Sequence, residues 1–416
     1  MKRSRGTAPG LKHLAFFEVL ADTPHETPAG RAALAGLLAL RFIDHWVLAG
    51  AMMVEPESVS VRSLRNAIMA IPANDPQREL LLGVVNTMQT LREVDVQPVL
   101  PRLFAYGGML EKRGMLPLAS DVYRAVVRHG DEEYDGDLVV DSHMRLGYCL
   151  RMASALDEAM EHYVVAGKVA KRLREPGREL RSRVGLANVM IMRGNLPAAD
   201  ELLGQVTAEC VERGEREVRV AALHDRAVVA RARGEHSRAV CLAYEALEEC
   251  TSSKERERLL HDIAIVFLSM GRLEEARTAL LLQEVTATSS EVRTIARVNM
   301  MALAVRAGDQ RTFDAERSAL SQLELPPQLR VNFLIESGRG ARRFGHDELA
   351  ERVLREAMQV ARALELNREL HEAEEMFAAR HVVADKSDGG TPAVSPDPAA
   401  HVIAGLRQML ASHSGE

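Results

Sequence analysis

Along most of this chain the apolar residues recur at helical spacing, and one short unit keeps returning. It is an apolar helix, a small turn residue, and a second helix with Ala about five positions later. The turn residues are Asn74, Gly114, Ser154, Gly194, Gly234, Gly271, Gly308 and Gly345. Neighbours in this series lie 40 residues apart four times and then 37 apart three times. The clearest copy runs Gly-Arg-Leu-Glu-Glu-Ala from Gly271 to Ala276, and others start at Gly114 and Gly194.

Helix packing explains the unit. A residue that tolerates positive φ ends the first helix without strain. Pro117 and Pro197 then sit at the start of a second helix, where a missing N–H does no harm. Ala119, Ala159, Ala199, Ala239, Ala276 and Ala350 share one position of the second helix. Gly107, Gly147, Ala187, Ala227, Ala264 and Gly338 share one position of the first. Small residues at both places let the axes approach. Leu110, Leu150 and Phe267 in first helices, and Tyr123, Tyr163, Leu203, Leu280 and Leu354 in second helices, are expected to fill the sides. The copy around Gly308 departs from this rule. It carries Met301 and Phe313 where small residues belong, so that pair must splay or shift register.

The best single copy is Leu146-Gly147, Leu156-Asp157-Glu158-Ala159, Tyr163 and Ala166, and on these residues the chain resembles the tetratricopeptide repeat (TPR) family. The resemblance covers roughly residues 100 to 365, and more weakly from 60. It implies an all-α fold, an α-α superhelix: a TPR-like solenoid of helix hairpins. The periods exceed the family's usual length of about 34 residues, so helices extended by about one turn are expected. Longer repeats of this kind resemble those of bacterial regulatory and scaffold proteins. The family's Trp in the first helix is missing; the single Trp, Trp46, lies outside the array.

The organisation expected along the chain follows. Residues 1–10 read as disordered, and 11–95 as an N-terminal helical cap with a degenerate repeat. Residues 98–365 form seven helix pairs and 367–381 a capping helix. Residues 385–400 read as a flexible linker and 401–411 as a short amphipathic helix, with Val402, Ile403, Leu406 and Leu410 on one face.

Composition narrows the function classes. At 47% hydrophobic residues most of the chain can bury a core, and at 4% aromatic it lacks the material of a large β-sandwich. Acidic residues outnumber basic ones, 59 to 53, which argues against a general nucleic-acid binder. Cys149, Cys210, Cys241 and Cys250 form no C-x-x-C pair, and a reducing, cytoplasmic compartment fits them. The longest apolar run, Ala32 to Met53, holds Arg41, Asp44 and His45, which reads as a buried helix and not as a membrane span.

No phosphate loop, nucleophile elbow or H-E-x-x-H pattern is present, so neither catalysis nor a cofactor is expected. Leu223-His224-Asp225 and Leu260-His261-Asp262 are either an echo of the repeat or a stacked His224–His261 pair. Arg339, Arg342 and Arg343 are either a solvated face or an anchor for an acidic partner. In the family, first helices line a concave groove. That register puts Met144, Tyr148, Met152, Val184, Asn188, Ile191, Met192, Val228, Arg231, Ile265 and Leu268 in it, with Arg339, Arg342 and Arg343 beyond. Apolar residues there imply either a partner or helices closing on one another. Of the family's carboxylate clamp only Asn188 matches. The reading is a non-enzymatic scaffold or adaptor holding a protein or peptide by an amphipathic helix or apolar segment. The alternative is a regulatory sensor of a peptide or small molecule acting through a partner protein. A further option is that the C-terminal helix folds into the chain's own groove.

Overall fold

A computed structural model describes residues 12–49, 59–90, 95–378 and 399–414. Among these residues every regular element is a helix, and none is long and apolar enough to cross a membrane. The chain divides into two compact units, Met1–Val218 and Arg219–Glu416. The expected disordered residues 1–10 and most of the expected linker lie outside the described residues.

The first unit opens with α1 (Leu14–Asp22), α2 (Pro28–Ala49), α3 (Val59–Met69) and α4 (Pro76–Thr90). Hairpins follow: α5 (Leu100–Lys112) with α6 (Leu116–His129), α7 (Glu132–Met152) with α8 (Leu156–Leu173), and α9 (Pro176–Met192) with α10 (Leu196–Arg213). The next helix, α11 (Arg216–Ala232), crosses the boundary between the units. The second unit continues with α12 (His236–Glu249), α13 (Ser253–Ser269), α14 (Leu273–Thr286), α15 (Ser290–Ala307) and α16 (Gln310–Leu320). It closes with α17 (Pro327–Arg343), α18 (Asp347–Ala363), α19 (Asn367–Ala378) and α20 (Ala400–Ser414). Within each unit a first helix packs on its own second helix and also on the next first helix, as α7 does on α9 and α15 on α17.

The repeat signature has a direct steric basis. Gly114, Ser154, Gly194, Gly234, Gly271, Gly308 and Gly345 all have φ between 60° and 79°, the left-handed region a tight helix exit needs. Asn74 does not take this conformation. There the Asp75 side chain makes the turn instead, accepting from the Gln77 N–H at 3.0 Å. The six second-helix alanines are fully buried. The matching first-helix glycines are filled by the partner's large side chain: a Cβ at Gly147 would lie 3.0 Å from the Tyr163 ring. Tyr163 is gripped from the next hairpin too, since a Cβ at Gly185 would lie 2.3 Å from it.

From Ser154 to Gly308 the change of period falls on the second helices, whereas in the copy before it α6 has 14 residues and the first helix α7 has 21. Both α8 and α10 have 18 residues, whereas α12 and α14 have 14. Phe313 and Met301 are accommodated without exposure. Both are fully buried, and the Phe313 ring occupies the space left by Gly340 on α17, where a Cβ would stand 2.1 Å away. The helix carrying Phe313 is also shortened to 11 residues.

In the first unit a buried carboxylate ties three helices. Asp44 of α2 accepts from His129 at 2.7 Å and Arg128 at 3.1 Å on α6, and lies 3.3 Å from His13 and 3.2 Å from Lys12. Burial favours the neutral acid, but the His129 and Lys12 hydrogen bonds and the Arg128 charge prevail and pull its pKa down to about 2. In the second unit α20 lies on α12 and α14. These are second helices, so the structure sets aside the option that α20 folds into the first-helix groove.

Candidate functional site

In the first unit the first helices α7 and α9 carry seven of the expected groove residues. Met152 and Met192 are their final residues, one repeat apart, and stand 48% and 44% exposed. Tyr148, Ile191 and Met144 are half-buried. The Arg151 guanidinium lies over the Tyr148 ring at 5.5 Å and 3.7 Å from the Met192 sulfur, so it braces both. Val184 is only 7% exposed and packs inward. Asn188 donates to the Val184 carbonyl of its own helix at 3.2 Å. Six of the seven therefore present surface: the half-buried Asn188 and a methionine-rich strip of four apolar side chains and one aromatic ring.

At the other end of the same helices is a cavity of about 510 Å³, lined by Asp141 and Met144 of α7, Arg178 and Arg181 of α9, and Glu215 and Glu217 at the start of α11. Its charges are largely matched in place. Arg178 bonds Asp141 at 3.1 Å and Glu175 at 3.1 Å, and Arg181 meets Glu217 at 3.4 Å. The Asp141 hydrogen bond, followed by the surrounding carboxylates, raises the Arg178 pKa. Met144 is the residue that joins this polar cavity to the apolar strip.

The first helices of the second unit are different. His224, 4% exposed, sits between two carboxylates of α13, with Nδ1 3.0 Å from Glu255 and Nε2 2.7 Å from Asp262. Burial opposes a charged ring, but the bonds to Asp262 and Glu255 outweigh it and raise the His224 pKa to about 9. His261 does not stack on His224. Its Nδ1 accepts from Asn299 of α15 at 3.2 Å, and burial lowers its pKa. Arg306 of α15 donates to the Leu268 carbonyl at 3.1 Å.

The remaining expected residues of this unit are buried, half-buried or held in ion pairs and hydrogen bonds, apart from Arg343. Leu268 is buried at 7% exposure, and Val228, Arg231 and Ile265 are half-buried. Arg339 bridges Glu336 and Glu372, each at 2.6 Å, and Arg342 donates to the carbonyls of Met376 and Phe377. These two arginines fasten α19 and so are neither a solvated face nor a free anchor; Arg343 alone of the three is exposed. A carbonyl acceptor at a helix C-terminus leaves no sequence signature, which is why the residues alone did not reveal this role.

Sequence reasoning also missed the pair His143–His162, whose Nδ1 atoms lie 2.9 Å apart within one hairpin. Burial, aided by the partner ring at His143 and by Arg124 at His162, outweighs the nearby carboxylates and lowers both pKa values, His143 to about 4, so one neutral ring donates to the other. Among the described residues no cluster of three or more His, Cys, Asp or Glu is placed to hold a metal.

No family profile matches the sequence, and no curated protein does. Solved structures similar to the chain include the apo form of RapI, at 15% identity over 64% of this chain and 99% of that one, with a TM-score of 0.45. The Rap conjugation gene regulator of plasmid pLS20, in complex with the Phr* peptide, is 13% identical over 84% and 99%, with a TM-score of 0.48. A tetratricopeptide repeat protein from Parabacteroides merdae is 16% identical over 66% and 98%, with a TM-score of 0.43. By its own turn geometry and helix packing, the chain is a tetratricopeptide-like helical repeat protein.

Proposed function

We propose that the chain is a non-enzymatic scaffold or adaptor, and that the α7–α9 face of the first unit holds the apolar side of a protein or peptide segment. One observation carries this reading: Met152 and Met192 stand exposed at equivalent positions of adjacent first helices, which also carry the half-buried Tyr148 and Ile191. Thioethers adapt to differently shaped partners, and exposed apolar surface is costly unless something covers it. The matched charges of the neighbouring cavity favour a partner that is mainly apolar over a strongly charged one. The four thiols, none in a disulfide, fit a cytoplasmic setting.

The test is recovery of bound protein by the full chain, by Met152→Glu/Met192→Glu, and by Val211→Glu. Val211 is still more exposed, at 64%, but lies on the second helix α10. Loss of the same partner from the methionine variant, with Val211→Glu unaffected, supports the reading. Equal recovery by all three contradicts it.

A further inference from the structure

The docking of α20 on α12 and α14 is uneven along its length. Its first half is tightly fitted. Ala399, Val402 and Leu406 are buried in the core of the second unit. His401 meets the Tyr244 ring edge-on at 5.9 Å. Gly405 rests on Tyr244 so closely that a Cβ there would stand 1.7 Å from the phenol oxygen. No ordinary contact allows that distance, so a side chain at this point would require the buried Tyr244 ring to move.

The second half is less closely fitted: Met409 and Leu410 pack on the same core but are only half-buried. Met409 and His413 border a cavity of about 440 Å³, whose other walls are the apolar Leu247, Leu260 and Leu282 and the polar Ser253, Arg256 and Thr286. Side chains lining unfilled space forgo dispersion contacts that a larger occupant would make.

We infer that the α12–α14 face is a helix-docking site that α20 fills only in part. The partner it fits is an amphipathic helix with a small residue facing Tyr244 and a bulky apolar side chain in the cavity beside Met409 and His413. This surface lies mainly on the second helices α12 and α14, with α13 contributing to the cavity, and it does not include α7 or α9. The tether gives α20 an effective concentration on the order of millimolar. A helix that merely copies α20 therefore does not displace it, whereas one that also fills the cavity gains an advantage of roughly tenfold or more.

Synthetic helices spanning residues 399–414, fluorescently labelled, test this on the full chain and on Val402→Asp/Leu406→Asp, in which α20 is expelled. The native peptide is expected to bind the double variant and not the unaltered chain. His413→Phe in the peptide should bind roughly tenfold tighter, and Gly405→Val should abolish binding. Adding Tyr244→Ala to the double variant should restore binding of the Gly405→Val peptide. Should the double variant fail to fold, a full chain cleaved by protease within residues 385–395 retains native α20, and peptide exchange should follow the same ranking. Equal binding of the native and Gly405→Val peptides overturns the proposal, as does a His413→Phe peptide with no advantage, or a folded double variant that binds no peptide.

Discussion

Replacing His224 with Gln removes a charge from a place where the fold depends on it. The ring is buried between Glu255 and Asp262, at 3.0 and 2.7 Å, with its pKa raised to about 9. An unfolded chain would hold the same imidazole near 6.5. Because the folded pKa is the higher one, the native state retains the proton better. The resulting stability is full below the unfolded pKa and disappears as pH rises through the folded one. A difference of about 2.5 units corresponds to about 3 kcal/mol, most of it lost between pH 6.5 and 9. The pKa values of both carboxylate partners are lowered, so they stay ionised throughout that window. Urea unfolding at pH 6 and pH 9 is the assay. The unaltered chain should lose about 2–3 kcal/mol between the two, while His224→Gln should cost about 3 kcal/mol at pH 6 and under 1 kcal/mol at pH 9. An equal penalty at both values would refute the charged clamp and leave only a packing role.

Three further outcomes are expected. Gly185→Ala forces a methyl to within 2.3 Å of the Tyr163 ring and should destabilise the first unit by about 1–3 kcal/mol in denaturant melts, with partial recovery on adding Tyr163→Leu. Asp44, with its pKa lowered to about 2, contributes stability that is present above the unfolded carboxylate value and is lost as pH falls from about 4 to 2. Asp44→Asn should remove that acid-sensitive step in a pH titration of near-ultraviolet circular dichroism. Arg342→Ala removes donors to the last carbonyls of α19, and should speed amide exchange in residues 367–378 while leaving exchange in α13 and α14 unchanged.

The turns were legible because a left-handed helix exit selects glycine, and seven of the eight residues read as turns do have positive φ. Asn74 misled because Asn tolerates that conformation while its neighbour Asp75 offers a competing side-chain turn. Arg174 and Glu365 also take positive φ between hairpins, and neither residue type advertises it. The site was less legible than the fold. A first helix meets neighbours on several sides, so an apolar stripe does not say which neighbour it serves. Val184 and Leu268 turn inward, whereas Met152 and Met192 do not. His224 bonds Asp262, 38 residues on, and passes over the adjacent Asp225 and the equivalent His261. That choice depends on the register of two stacked helices, which repeat spacing alone does not fix. The amphipathic pattern of α20 was readable in Val402 and Leu406, but the face it covers was not.

Site-specific photo-crosslinking tests the partner-holding role most directly. A photoreactive side chain is placed at position 152 or 192 on the first helices, or at 211 on α10 as the control. Covalent capture of one and the same protein from 152 and 192, and not from 211, is the outcome predicted. Capture from 211 alone, or from none of the three while the chain still co-purifies with a partner, would contradict it.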